Sequence, residues 1–380
     1  MIPCQRDLFS MPDDVAYFNC AYTSPLLVHA ESAGKQAVMQ KSAPWELTTD
    51  FFFTCLNENR ALFASLVNAA PTDIAVIPSV SYGIALAARN IPVEAGQTLV
   101  VLQDQFPSNI YSWLRLARSH GAEIVSVPRP SDSNWTPAVL DAISSRTAVA
   151  ALPHCHWTDG TLIDLKAIGK KCRACGTALV VDGTQSLGAM PFSVKDIQPD
   201  FLITTAHKWL LGPYSYGFCY VAPRWQQGVP LEENWLNREN SEDFARLVQY
   251  REAYQDGAKR FDAGEASNFI LAPIAGAALQ QILSWGVDQI AATLRARTDA
   301  IAARATSIGL EVAPAANRAP HMLGLRHPQG FPDDLPASLA QANVFASARG
   351  DSIRIAPHVY NNDKDVDRLF AVLEKALARR

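Results

Sequence analysis

The sequence lacks the features that mark several specialised classes of protein. Its 380 residues contain 33 lysines and arginines against 37 aspartates and glutamates, so the net charge is -4. That balance provides no basic field for nucleic acid or anionic lipid, and neither partner is expected. Hydrophobic residues make up 48% and charged residues 18%, which is typical of a globular protein with an ordinary core.

Long hydrophobic runs are also missing. The first ten residues contain no apolar core of signal-peptide length, so we expect a cytoplasmic protein. The longest uncharged run, residues 266–287, is interrupted by polar residues, a proline and glycines. Those interruptions argue against a transmembrane helix and therefore against a membrane partner.

Cysteine is scarce, and the spacing of some cysteines resembles that of zinc ligands, although buried structural cysteines are the simpler interpretation. Seven cysteines without a secretory signal argue against a disulfide framework. Cys172 and Cys175 have the spacing of a ligand pair, and so do His154 and His156. However, both cysteines fall with Leu165 on one apolar face of a predicted helix, where buried structural cysteines are common. We expect no bound metal.

Seven short apolar runs dominate the region between residues 75 and 221. Most are continuous rather than alternating and are separated by helical patterns, which predicts a largely parallel, doubly wound α/β sheet covered on both faces. The last connection contains Gly212-Pro213 and is too short for a crossover helix, so the last strand should be antiparallel. The predicted strands are Ala75–Ile77, Leu99–Leu102, Ile124–Val127, Ala148–Leu152, Ala178–Val181, Phe201–Thr204 and Gly217–Val221.

The character of the chain changes after residue 260. Residues 226–260 are polar, with helical stretches and no clear strand, and an alanine-rich helical pattern covers residues 271–308. An amphipathic helix ends the chain, with Asn361 or Asn362 as its candidate cap. Short strand-like pieces precede it at Leu310–Val312, Met322–Leu325, Asn343–Phe345 and Ser352–Ile355. We therefore predict an N-terminal segment over residues 1–20 that packs on the small domain, a large domain over 21–260, and a smaller α+β domain over 261–380.

Two of the predicted strands lead directly into charged residues. Asp182 follows one strand, and Lys208 follows the next one along the chain. Ligands of open α/β sheets bind at that edge. Pyridoxal phosphate chemistry needs a lysine that forms a Schiff base and a carboxylate that keeps a pyridine nitrogen protonated. The pair therefore favours this cofactor, although either residue alone is more often a surface lysine or a turn residue.

The segments Val181-Asp-Gly-Thr-Gln-Ser-Leu-Gly188 and Thr205-Ala-His-Lys208 resemble the class V aminotransferase family of fold type I pyridoxal phosphate enzymes. This family includes cysteine desulfurases, kynureninases and isopenicillin N epimerase-like proteins. The resemblance runs from about residue 18 to the C-terminus. It implies a seven-stranded, mostly parallel sheet covered by helices, with a smaller α+β C-terminal domain. It also implies an amino-acid substrate and a homodimer with active sites at the interface.

The resemblance assigns roles around the cofactor ring. Lys208 would carry the Schiff base and move the proton at the substrate Cα, Asp182 would pair with the ring nitrogen, and Gln185 would bind the phenolic oxygen. Phe106 would stack on the exposed ring face, where desulfurases carry a histidine, so that face has no acid or base. Trp157 stands where desulfurases have an asparagine, and it either narrows the substrate pocket or only packs.

Other residues would bind the cofactor phosphate. Ser81 would supply a hydroxyl and Val80 a backbone N–H at a predicted helix start, where a simple N-cap is the alternative. Thr205 and His207 resemble further phosphate ligands.

Two more segments would complete the site. Arg354, in an alternating strand pattern, resembles the clamp for the substrate α-carboxylate, for which a planar guanidinium is suited; an exposed strand arginine is the alternative. Residues 260–268 resemble the loop that a second subunit lends to the phosphate, so Ser267 or Asn268 would reach across the dimer interface.

A missing cysteine narrows the reaction. Desulfurases need a cysteine nucleophile on a loop before the arginine clamp, but the last cysteine here is Cys219, so persulfide-forming desulfuration is not expected. The favoured function is an aminotransferase that acts on an α-amino acid through an external aldimine and Cα deprotonation. Kynureninase-like cleavage, C–S or C–C lyase activity and epimerisation stay open, as does a non-enzymatic pyridoxal phosphate-binding sensor.

Overall fold

The centre of the computed structural model, which describes residues 1–378, is a seven-stranded sheet. All seven predicted strands are present, and their bounds agree with the prediction to within one residue. The twelve strands found within residues 1–378 are β1 (Ala16–Tyr17), β2 (Ile74–Ile77), β3 (Thr98–Leu102), β4 (Glu123–Val127), β5 (Thr147–Pro153), β6 (Ala178–Asp182), β7 (Phe201–Thr205), β8 (Gly217–Val221), β9 (Leu323–Arg326), β10 (Val344–Phe345), β11 (Ser347–Arg349) and β12 (Ser352–Ile355).

The order of the large sheet is β2-β8-β7-β6-β5-β3-β4. Strand β8 is antiparallel to both of its neighbours, as its short connection predicts, and the other neighbouring strands pair in parallel. Every residue of β5, β6 and β7 is buried, whereas the edge strand β4 is partly exposed. Continuous apolar runs form such strands because both sheet faces are covered.

Helices cover both faces of the large sheet, and the sheet separates two hydrophobic clusters. The helices are α1 (Val28–Lys41), α2 (Thr54–Val67), α3 (Val80–Asn90), α4 (Tyr111–His120), α5 (Trp135–Ala142), α6 (Leu165–Cys175), α7 (Val194–Ile197), α8 (Leu271–Trp285), α9 (Val287–Ser307), α10 (Leu335–Gln341) and α11 (Asp363–Leu377). None of the helices within residues 1–378 combines the length and the apolar character that crossing a membrane requires.

A three-stranded antiparallel sheet, β11-β12-β9, lies in the C-terminal part of the chain with its own hydrophobic cluster. Strand β1 pairs in parallel with β10, which ties the N-terminal segment to this part of the molecule. Of the two candidate caps for α11, Asn362 occupies the N-cap and forms a capping box with Asp365. Helix α8 packs against α1 and α2, and the domain boundary placed at residue 260 stays a prediction.

Three segments differ from the sequence-based expectation. Residues 226–260 contain short 3-10 turns rather than helical stretches, because their polar pattern offers no continuous apolar face to bury. The helical pattern over residues 271–308 is split at Gly286, whose φ of 76° belongs to the left-handed region. The strand expected near residues 310–312 is reduced to one bridge between Glu311 and Arg326.

Candidate active site

A cavity of about 330 Å³ lies at the carboxyl ends of β6 and β7. Asp182 is the last residue of β6, and Lys208 follows β7 by three residues. Parallel strands end at the same edge of the sheet, so both side chains reach the same cavity. The predicted site residues that line it are Val80, Ser81, Phe106, Trp157, Asp182, Gln185, Thr205, His207 and Lys208.

Burial disfavours the charged forms of both Asp182 and Lys208. Burial raises the pKa of the Asp182 carboxyl, although the Thr184 backbone N–H donates a hydrogen bond to its Oδ1 at 3.0 Å. The pKa of the Lys208 amine is lowered from 10.5 to about 8, chiefly by burial and also by Arg354 and Arg349, against the opposing effect of Asp182. A cation next to Asp182 would stabilise its ionised form, and a neutral Lys208 amine is a nucleophile.

The two sequence motifs pack directly against each other behind this cavity. The Trp209 Nε1–H donates to Gln185 Oε1 at 2.9 Å, and Gln185 Nε2 donates to the Ala21 carbonyl at 3.0 Å. Gly188 has a φ of 94°, and a Cβ there would lie 2.3 Å from the Trp209 carbonyl oxygen, so only glycine fits. These contacts fix Lys208 relative to Asp182, because each residue is carried by one of the two motifs.

One end of the cavity is built to receive an anion. Helix α3 begins at Val80 with Ser79 as its N-cap, and the hydroxyls of Ser79 and Ser81 lie 2.9 Å apart. Across from them, Thr205 Oγ1 and His207 Nδ1 lie 2.6 Å apart. Burial and the neighbouring Lys208 lower the pKa of His207 to about 4, so its imidazole is neutral at neutral pH. A helix N-terminus with convergent hydroxyls is a suitable site for a phosphate.

The other end opens into a second cavity of about 420 Å³ that shares Phe106, Trp157 and Lys208 with the first and adds Arg354. Arg354 is 1% exposed, and its Nη1 donates to the Trp157 carbonyl at 2.7 Å. Among the residues that the structure describes, its Nε and Nη2 have no hydrogen-bond partner, and burial lowers its pKa to about 9. A buried guanidinium with two unused donors is prepared to bind an oxyanion.

Two aromatic side chains form the wall between these ends. Phe106 lies with its ring centroid 5.3 Å from Lys208 Nζ and 5.4 Å from the Trp157 ring, in an edge-to-face arrangement. The Trp157 Nε1–H donates to the Asp104 carbonyl at 2.7 Å, which holds the indole in place. Trp157 therefore packs and narrows the cavity at the same time, so the two interpretations of its sequence position are compatible.

Ser267 and Asn268 do not line either cavity of this chain. Ser267 is buried, and Asn268 Oδ1 accepts hydrogen bonds from the backbone N–H groups of Ile270 and Leu271 at the start of α8. A role for either residue at the phosphate of a second subunit stays a prediction.

The paired cysteines and histidines that invited a zinc interpretation are placed in the core. Cys172 is buried on α6 and Cys175 is half-buried at its end, while His154 and His156 flank the buried Cys155. Within residues 1–378, no three His, Cys, Asp or Glu side chains are grouped so that they would hold a metal ion.

Several residues of the site were not identified from the sequence. Ser79, Tyr214 and Cys155 line the first cavity, and Arg349 lines the second. Ser79 carries a recognisable signal, since a serine before a helical pattern is a typical N-cap. Tyr214 lies in the connection between β7 and β8, and Arg349 ends the three-residue strand β11; the local pattern predicts neither position.

The donor set fits pyridoxal phosphate. The cavity brings together the buried Lys208, whose pKa is lowered, and the buried Asp182, whose pKa is raised. It also contains the aromatic face of Phe106 and a helix N-terminus with two serine hydroxyls. Schiff-base formation, ring-nitrogen pairing, ring stacking and phosphate binding require these four features.

The class V aminotransferase family model matches residues 44–369, and the chain belongs to that family. This finding confirms the resemblance seen in the two motifs and the expectation of a pyridoxal phosphate-dependent enzyme with the fold type I architecture. The non-enzymatic alternative is thereby set aside.

Among individual relatives, the chain is 29% identical to the uncharacterized aminotransferase YcbU of Bacillus subtilis over 80% of this chain and 79% of that protein. It is 30% identical to isopenicillin N epimerase of Streptomyces clavuligerus over 46% of each chain. The apo structure of a cysteine desulfurase from Thermococcus onnurineus superimposes with a TM-score of 0.85 at 20% identity, covering all of both chains. At that identity the likeness shows the fold alone.

Proposed function

We propose that this protein is a pyridoxal phosphate-dependent aminotransferase acting on an α-amino acid. The observation that carries the proposal is that Lys208 and Asp182 reach one cavity from the ends of neighbouring strands, with the start of α3 at its far end. When bound, pyridoxal phosphate supplies the electron sink that makes a Cα–H bond of an amino acid acidic. All other contributions come from the side chains of this chain.

The protein groups divide the work of binding and proton transfer. Val80 and Ser81 would hold the phosphate at the start of α3, Asp182 would stabilise the protonated ring nitrogen, and Phe106 would cover the ring, since all four residues line the first cavity. With a pKa of about 8, the Lys208 amine is partly neutral near pH 7 and would accept the Cα proton of a bound amino acid and donate it again.

Two contacts favour transamination over the alternatives. Phe106, whose ring centroid lies 5.3 Å from Lys208 Nζ, cannot transfer protons and so would supply no second base for a two-base epimerisation. Cys155 lines the first cavity, but burial raises the pKa of its thiol, which disfavours the thiolate that persulfide chemistry needs. Proton transfer by Lys208 alone is the chemistry that these side chains support best.

The test begins with the cofactor linkage. The purified protein should show the absorbance of a Schiff base, and the Lys208→Ala protein should not, whereas replacing the exposed Lys170 on α6 by Ala should change nothing. A Lys208→Ala protein that retained the absorbance would refute the assignment.

A product screen by mass spectrometry then identifies the reaction. Amino acids are incubated with and without 2-oxoglutarate or pyruvate, and transamination predicts a keto-acid product only when the acceptor is present. Loss of stereochemistry without an acceptor would indicate an epimerase, and acceptor-independent fragments would indicate a lyase.

We further propose that the protein is a cytoplasmic homodimer in which Ser267 or Asn268 contributes to the phosphate site of the second subunit. The support is membership of the family and the position of residues 260–268 in the sequence. Sedimentation of the protein as a monomer with full activity would contradict this proposal.

A further inference from the structure

The second cavity contains a second arginine, Arg349, that the proposed reaction does not use. Arg349 lines the same 420 Å³ space as Lys208 and Arg354. It is half-buried at the end of β11, where its Nη1 donates to the Ala348 carbonyl at 2.7 Å. Its Nε is buried without a partner. The guanidinium therefore has donors that are unused in the ligand-free protein.

The hairpin formed by β11 and β12 directs both arginines to the same side. Arg354 pairs across the ladder with Ser347, and Arg349 pairs with Ser352. Directly opposed residues share a face, and so do alternate residues of one strand. Arg349 and Arg354 are thus diagonal neighbours on one face, roughly 7–8 Å apart by the usual spacing of such pairs.

The second cavity concentrates positive charge, and the carboxylate that acts on it, Asp182, lines the first cavity, where it raises the pKa of Lys208. The residues that line the second cavity include Lys208, Arg349 and Arg354 but no aspartate or glutamate. Within residues 1–378, neither arginine has a carboxylate within 4.0 Å, and Asp351 in the hairpin turn pairs with Arg326 instead. Arg349 also lowers the pKa values of Arg354 and Lys208, after burial as the main cause. Such repulsion is destabilising unless ligand anions relieve it.

The position of Arg349 suits an anion that is separate from the α-carboxylate. Arg354 is almost fully buried beside the Trp157 backbone, whereas the Arg349 guanidinium lies over the Trp157 ring at 5.7 Å from its centroid. Stacking on an indole orients a guanidinium and leaves its edge donors free. One arginine therefore serves a carboxylate at the cavity wall, and the other faces the space that a substrate side chain would occupy.

We infer that the substrate carries a second anionic group bound by Arg349, and that it is an amino acid with an acidic side chain or the corresponding dicarboxylic keto acid. This inference rests on the proposed function, because Arg354 must hold the α-carboxylate near Lys208. A single arginine would suffice for an amino acid with an uncharged side chain.

The experiment compares ligands that differ only in the second charge. The holoprotein is titrated with L-aspartate against L-asparagine and with L-glutamate against L-glutamine, and binding is followed by the cofactor absorbance. The aminated cofactor form is titrated with 2-oxoglutarate against 2-oxopentanoate, which separates an acidic amino donor from an acidic acceptor. At least one charged ligand should bind at least about 10-fold more tightly than the uncharged ligand of the same pair, as expected for charge-assisted hydrogen bonds.

Variants locate the origin of that preference. Arg349→Gln should abolish it while changing the affinity of the uncharged match by less than about 3-fold, since the uncharged side chain offers no anion to the guanidinium. Arg349→Lys should retain part of it. Arg297→Gln, which removes a guanidinium of α9 that pairs with Asp363 of α11, is the matched control and should change nothing.

Two results would overturn the inference. One is a wild-type protein that binds charged and uncharged ligands equally. This result does not depend on the folding of any variant. The other is an Arg349→Gln protein that loses affinity for both members of each pair, since this outcome assigns Arg349 to packing against Trp157. Either result leaves the proposed function intact, whereas a cofactor absorbance that no amino acid perturbs would refute both.

Discussion

The cofactor end and the substrate end of the site differ in how their polar groups are satisfied. At the cofactor end, Gln185 is hydrogen-bonded through both atoms of its amide, Thr205 contacts His207, and Asp182 accepts a backbone N–H. At the substrate end, Arg354 leaves two of its three guanidinium nitrogens unpartnered although it is 1% exposed.

This difference follows from the elements that carry each end. The cofactor end lies at the carboxyl edge of buried parallel strands, and each side chain is held by the motif next to it. The substrate end comes from the β11–β12 hairpin of a separate sheet. A ligand that remains bound can be served by rigid, satisfied groups, whereas a ligand that enters and leaves needs donors kept free for it.

The largest effect is expected from replacing Asp182, at the cofactor end. Asp182→Asn should lower kcat/KM about 1,000-fold, because removing one partner of a buried ion pair costs about 3–5 kcal/mol. The Schiff-base absorbance at Lys208 should persist. Asp196→Asn, which removes an exposed carboxylate paired with Lys166, is the control. Turnover close to wild type in Asp182→Asn would contradict the pairing with the ring nitrogen.

The pH dependence of cofactor capture should report the burial of Lys208. Since burial lowers the pKa of its amine from 10.5 to about 8, the neutral nucleophile is present at a lower pH than in an exposed lysine. The rate at which apoprotein binds pyridoxal phosphate covalently should rise about 10-fold per pH unit up to pH 8 and then level off. Rapid-mixing absorbance measures this rate. A midpoint near 10.5 would show an amine that is not desolvated.

Opposite stability changes should distinguish the two ends. Arg354→Met should weaken amino-acid binding about 10- to 100-fold, because charge-assisted hydrogen bonds are lost. It should not lower the melting temperature without ligand, since an unpaired buried cation is removed. Gln185→Leu should lower the free energy of unfolding by about 1–3 kcal/mol, because buried hydrogen-bonding groups lose their partner. Thermal unfolding without substrate measures both, and a destabilised Arg354→Met would remove the contrast.

The smallest effect is expected at the start of α3. Ser81→Ala should weaken binding of pyridoxal phosphate by about 3- to 10-fold, since one hydroxyl among several phosphate donors is lost. Ser79→Ala should in addition lower the free energy of unfolding by about 1 kcal/mol, because Ser79 caps the helix. Equilibrium dialysis and thermal unfolding separate the two effects. Equal destabilisation by both variants would indicate that Ser81 has a structural role.

The cofactor end was largely predictable, and the substrate end was not. Continuous apolar runs located the strands to within one residue and placed Asp182 and Lys208 at the same sheet edge. Ser79 was recoverable as a helix cap. Arg349 was not, because strand β11 is three residues long and its sequence resembles a polar turn.

The sequence by itself determined the large sheet, its antiparallel strand, and the lysine and aspartate that point to pyridoxal phosphate, together with the absence of a cysteine after Cys219. These features are local, because consecutive residues determine where a buried strand lies and where it ends. Only the tertiary structure decided that Arg349 and Arg354 share one cavity with Lys208 and that no carboxylate lines it with them. That arrangement depends on how the β11–β12 hairpin packs beside the carboxyl edge of the large sheet, and the contacts involved join residues more than a hundred positions apart in the chain.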